Sequence, residues 1–142
     1  MSNQDFSISL QRLPEADRSI ARVRDFSLTI GSKAGDLSVG FNPVETLLAA
    51  AGACITTSLG LVAKNSDVTL DDVSVTATAT RQADPPRVIA IHLTVHVASP
   101  ADDQKIDRIF SIASKSSTVI STLREAMTVD INWSRAEHPV DQ

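Results

Sequence analysis

Asn42, Pro43, Val44 and Glu45 constrain the fold of this chain more than any other residues, because they open a helix that no proline interrupts before Asn65. Asparagine is a favoured N-cap, proline loses nothing at the first helical position, where its missing N–H has no partner anyway, and a glutamate three residues after the cap completes a capping box. The helix is predicted to run to about Lys64 and to stop at Asn65. Leu47, Leu48, Ala50, Ala51, Cys54, Ile55 and Leu59 give it a continuous surface of apolar and small side chains, wider than one sheet needs to cover.

The segments on either side alternate at strand period. Phe6, Ile8 and Leu10 are spaced by polar residues, Pro14 and the polar stretch to Ser19 read as a turn, and a second strand opens near Ile20 to make a hairpin. Phe26, Leu28 and Ile30 are expected to continue a buried face, and Arg22 and Arg24 share its parity. Gly31, Gly35 and Gly40 then loosen the chain into a loop. Beyond the helix, Val73, Val75, Ala77 and Ala79 alternate with Ser and Thr. A turn at Asp84, Pro85 and Pro86 leads into the face Ile89, Ile91, Leu93, Val95 and Val97, and these two strands should pair antiparallel. Ser99, Pro100 and Asp102 start another capped helix with the stripe Ile106, Ile109, Phe110 and Ala113. A short helix from near Ser117 to Glu125 and a strand through Met127, Val129, Ile131 and Trp133 follow. Antiparallel strands with helices grouped together give the α+β class. Without repeats or low-complexity stretches, residues 1–142 read as a single domain with a polar tail from about 135.

Composition narrows the functional classes. The chain has enough residues for one domain with a real core, and 42% hydrophobic with 21% charged residues is the balance of a soluble globular protein. A formal charge of -4 and a pI near 5.2 argue against nucleic acid or an anionic membrane surface as partner. No apolar leader follows a basic start, and the longest apolar run, Leu47 to Ile55, is too short to cross a bilayer, so no membrane association is expected. One cysteine allows no internal disulfide, which suits the reducing cytoplasm.

That cysteine is the main candidate for chemistry. A lone buried thiol is most often a small apolar core residue. Cys54, however, is flanked by Ala50, Ala51, Gly52 and Ala53, which give room for a substrate or a second chain to approach. The other candidates have simpler explanations. His92 and His96 lie on the outward face of one strand, about 13 Å apart at strand rise, too far to share a metal. His138 lies in the polar tail. Asp71 with Asp72 falls in a turn, and Asp102 with Asp103 at a helix start, where the dipole favours negative charge. No phosphate loop, nucleophile elbow or Cys/His metal spacing is present, so no cofactor and no metal is expected.

The segment NPVETLLAAAGAC, the two strands and helix that follow it, and the later SSTVISTL together resemble the OsmC/Ohr family of peroxide-related thiol proteins, over roughly residues 30–133. Pro43 precedes Cys54 by the family's eleven residues. The resemblance implies an OsmC-like α+β fold with antiparallel sheets around a long central helix, assembled as an intertwined homodimer with its sites at the subunit interface. It makes Cys54 the peroxidatic cysteine and an arginine of the N-terminal strand region, Arg22 or Arg24, the group that stabilises the thiolate. A bulge near Asp25 would turn both arginines outward. The family's second, resolving cysteine opens a later helix ahead of Pro and Val, where this chain has Ser117, Thr118 and Val119. The Ohr branch places glutamate directly after the proline, where this chain has Val44. Glu45 fits the Pro-x-Glu-x-Leu form of other OsmC-like branches.

Peroxide chemistry needs a thiolate, and an ordinary thiol pKa near 8.5 supplies too little of it without a nearby cation. Cys54 lies about three turns into its helix, beyond the reach of the dipole. Glu45, nine residues before Cys54, falls on roughly the opposite face and about 13 Å away along the axis, so within one chain its clearest role is the cap. Two readings stand. In one, the protein is a one-cysteine reductase of organic hydroperoxides that depends on an external thiol. In the other, it is a non-catalytic dimer that binds a small apolar or lipid-like ligand around a packing cysteine.

Overall fold

A computed structural model describes residues 2–14, 17–32 and 35–137; His138 and the rest of the tail lie outside the described residues. The elements are β1 (Ser9–Arg12), β2 (Arg18–Val23), β3 (Phe26–Gly31), a 3-10 turn (Leu37–Val39), α1 (Pro43–Asn65), β4 (Asp72–Gln82), β5 (Arg87–Ala98), α2 (Asp103–Ser116), α3 (Thr118–Arg124) and β6 (Thr128–Arg135). They divide into two compact units, residues 1–47 and 48–142.

In the first unit β1, β2 and β3 form an antiparallel sheet in that order. Only Arg24 and Asp25 join β2 to β3, with Val23 paired to Phe26 and Arg24 at a φ of 52°. This tight turn corrects the expected parity. Side chains directly across a ladder share a face, so a two-residue loop sets the odd positions of β2 on the side of the even positions of β3. Arg22, opposite Ser27, therefore projects away from the face of Phe26 and Leu28. That face is not buried either: Phe26 is 67% exposed and Leu28 47%.

The loop after β3 positions the start of the helix. Asp36 caps the 3-10 turn through the Ser38 N–H at 2.9 Å and the Ser38 hydroxyl at 2.6 Å, and these bonds to its charged form hold its carboxyl below the usual range. Gly40 takes a φ of 149°, and a Cβ there would meet the Thr29 carbonyl oxygen at 3.0 Å, so glycine is required. Phe41 then runs beside β3, its carbonyl accepting from the Gly31 N–H at 2.8 Å. The capping box closes as its sequence predicts: Asn42 Oδ1 accepts from the Glu45 N–H at 2.8 Å, and Glu45 Oε1 accepts from the Asn42 N–H at 2.9 Å.

The second unit holds the core. β4 and β5 pair antiparallel from Asp72 opposite Ala98 to Gln82 opposite Arg87, with an irregularity at Thr80 and Arg81. β6 lies on the other side of β5 and runs parallel to it, so this sheet is mixed rather than wholly antiparallel. The physical reason is the connection: α2 and α3 carry the chain back across the sheet before β6 begins, as a parallel pair requires. Ile91, Leu93, Val95 and Val97 alternate inward from β5, and α1 presents Ala51, Ile55, Leu59 and Ala63 at intervals of four, all buried. Ile106, Ile109 and Ala113 of α2 complete the cluster. Full burial of a side chain such as Ile55 or Leu59 contributes roughly 1.5–3 kcal/mol.

At 23 residues, with charge only near its ends, α1 is long and apolar enough to cross a bilayer by length and composition, which corrects the argument from the short run Leu47 to Ile55. One stripe of it, Ala51, Ile55, Leu59 and Ala63, is buried against the second unit's core, while 22% of its apolar window as a whole is buried.

Candidate functional site

Cys54 is half-buried on α1, between the buried stripe at Ala51 and Ile55 and an open flank at Ala50, Ala53 and Thr57. Its helix neighbours four residues away in either direction are Ala50 and Ser58, so α1 itself places no bulky side chain there over the sulfur. Gly52, by contrast, faces β4, where a Cβ would lie 3.7 Å from Val75 Cγ1 in ordinary contact.

Ser117, the residue at the place that resembles the resolving cysteine, is completely buried at the start of α3, and its hydroxyl donates to the Ala113 carbonyl at 2.8 Å. A hydroxyl committed in this way is neither ionised nor free to attack a sulfur.

The other expected residues fall in the first unit. Glu45 is held by the capping box, at the rim of a shallow hollow with Leu37 and Phe41. Arg22 and Arg24 border a recess of about 600 Å³ against Phe6 and Ile8, and the Arg24 guanidinium stands 5.8 Å from the centre of the Phe26 ring. Arg18 was missed by the sequence reading. It opens β2, and its Nε is buried without a hydrogen-bond partner among the described residues. It lines a hollow of about 420 Å³ whose other walls include Leu10, Arg12, Ile30, Pro43 and Thr46. A donor taken out of water without an acceptor costs free energy, so a group left in that state points to a partner that the described residues do not supply. The only hint in the sequence was an arginine bordering the turn after Pro14.

On the outer face of the second sheet, His92 Nδ1 lies 3.1 Å from Asp130, both well exposed, and the His96 ring sits between Ser134 Oγ at 3.1 Å and Thr76 Oγ1 at 3.4 Å. The two histidines have separate partners. Among the described residues no three of His, Cys, Asp and Glu converge as a metal site would.

No curated protein matches this sequence. Among solved structures, an OsmC-like protein from Mycoplasma pneumoniae is similar at a TM-score of 0.88 and 19% identity, over 96% of this chain and all of that one. An organic hydroperoxide resistance protein from Legionella pneumophila is similar at 0.75 and 16%, over 93% of this chain and 99% of its own. The organic hydroperoxide resistance protein OhrB of Bacillus subtilis is similar at 0.68 and 16%, over 91% and 98%. At such identities these likenesses establish the fold. The family model described as OsmC-like protein matches residues 33–132, from the loop before the capping box through α1 and Cys54 to β6, and by that match the chain belongs to the OsmC-like family.

Proposed function

We propose that this protein is a one-cysteine thiol reductase of organic hydroperoxides, serving oxidative-stress defence as a cytoplasmic homodimer. The observation that supports this reading is the contrast between an approachable Cys54 among small side chains and a buried, hydrogen-bonded Ser117 where a resolving thiol would stand. The Cys54 thiolate attacks the distal oxygen of the hydroperoxide and the O–O bond breaks. The alkoxide leaves and takes up a proton as the alcohol, and Cys54 becomes a sulfenic acid. An external thiol then attacks the sulfenic sulfur, releasing water and forming a mixed disulfide. A second thiol frees Cys54 and departs in an external disulfide. Overall, one hydroperoxide and two thiols give alcohol, water and disulfide.

The thiolate needs a cation, and of the three N-terminal candidates Arg18 is favoured over Arg22 and Arg24, because its buried Nε lacks an acceptor that a thiolate or a peroxide oxygen would provide. The test is the rate of Cys54 alkylation against pH. At neutral pH the wild type should be alkylated much faster than free cysteine, and Arg18→Ala should slow the reaction again while Arg22→Ala and Arg24→Ala leave it in place. A wild-type rate no faster than that of free cysteine removes the physical basis for catalysis. The second reading, a dimer that binds an apolar ligand, would then be preferred, supported by the apolar walls that Leu10, Ile30 and Pro43 give the hollow beside Arg18.

A further inference from the structure

α2, α3 and β6 border an open, shallow groove of about 600 Å³ that contains none of the residues assigned above. Its floor is aromatic. Phe110 of α2 and Ile131 and Trp133 of β6 are partly buried against the core. The Trp133 ring is fixed: its indole N–H donates to Asp107 Oδ1 at 2.7 Å, and the Arg135 guanidinium stands 5.9 Å from the ring centre.

One end of the groove is cationic. Arg124, at the end of α3, donates from Nη1 to the Ser114 carbonyl at 3.1 Å and from Nη2 to Ser114 Oγ at 2.9 Å. Two bonds to one residue orient the planar fork, yet each engages a single hydrogen, and three N–H donors remain for a ligand. Lys115 borders the same end and is exposed. Neither cation pairs with a carboxylate among the described residues, although acidic residues outnumber basic ones in the chain, 17 to 13. Asp107, the acid of the groove, lies seven residues before Ser114 on α2, about 10 Å away along the axis, and is already engaged by Trp133.

The geometry points to a ligand site in this groove for a small aromatic or similarly flat carboxylate, its anionic head on Arg124 and Lys115 and its ring over Phe110 and Trp133. A bidentate, preoriented guanidinium selects a planar anion, and the neighbouring rings favour a flat apolar body over a bare ion. Phe110 stands four residues before Ser114, so head and ring are received about 6 Å apart along the helix.

Trp133 is the only tryptophan in the chain, so its emission reports on the groove directly. Phenylacetate titrated into the intact protein should change that emission saturably, and the neutral phenylethanol should bind about tenfold more weakly or worse. Arg124→Gln should weaken phenylacetate about tenfold. Lys115→Gln, at an exposed side chain whose replacement leaves the fold alone, should weaken it several-fold. Cys54→Ser should bind as the wild type does, whatever becomes of peroxide reduction. The proposal is overturned by an absence of saturable change, by phenylethanol matching phenylacetate, by both cation variants binding as the wild type, or by loss of binding in Cys54→Ser.

Discussion

At the scale of single residues, the chemistry turns on a cysteine and a serine. Replacing Ser117 by cysteine exchanges a good donor to the Ala113 carbonyl for a weak one at a fully buried position, so it should cost roughly 1 kcal/mol while restoring the thiol this chain lacks. After a pulse of organic hydroperoxide, mass spectrometry of the wild type should find Cys54 as a mixed disulfide where a small thiol is added, and without one carrying one oxygen after a single equivalent and two after a second. Provided the two side chains approach within bonding geometry, the Ser117→Cys variant should instead lose two hydrogens to an internal disulfide and resist over-oxidation. An untouched wild-type thiol after the pulse would identify Cys54 as a packing residue. Arg18 belongs to the same scale, since one buried nitrogen without an acceptor distinguishes it from Arg22 and Arg24.

At the scale of elements, α1 is stabilised twice, by its cap and by its stripe. Asn42→Ala removes the acceptor for the Glu45 N–H and should destabilise the protein by about 1 kcal/mol in chemical denaturation. Glu45→Gln keeps an oxygen able to accept from the Asn42 N–H and should be close to neutral. This pair of variants also separates two roles for Glu45. A side chain that only caps leaves peroxide reduction unchanged as glutamine, whereas a carboxylate that orients an arginine loses it. The outcome expected here is unchanged activity with unchanged stability. Across the second unit, Arg135 at the end of β6 has a comparable fastening role: its guanidinium holds Asp103 at 2.7 Å and the carbonyls of Ser99 and Ala101 at 2.8 and 2.6 Å.

At the scale of the whole molecule, the chain by itself leaves much apolar surface in water. Phe6 is 88% exposed, and Ile8, Leu10, Phe26 and Leu28 of the first unit are also exposed, as is Leu61 on α1. Single exposed apolar residues are ordinary, but several large ones on one small sheet indicate a surface that is covered in the working protein. The proposed homodimer provides the cover. Sedimentation at micromolar concentration should therefore give a dimer, and Phe26→Asp with Leu28→Asp should shift it toward monomer. A wild-type monomer under these conditions would sink the dimer.

By itself the sequence determined the helix that carries Cys54, its cap, its buried stripe and the α+β class, because these depend on hydrogen bonds and periodicities closed within a few residues of one another. Asn42 and Glu45 meet across a single turn, and the stripe of α1 repeats every four residues whatever lies opposite. Tertiary structure alone decided the rest. The side to which Arg22 projects follows from the pairing of Val23 with Phe26, and a slip of one residue there reverses every side chain beyond it. The parallel course of β6 follows from where two helices return the chain. The buried nitrogen of Arg18 and the groove that joins Phe110 to Trp133 arise between residues distant in sequence, where no local pattern records which side chains will meet.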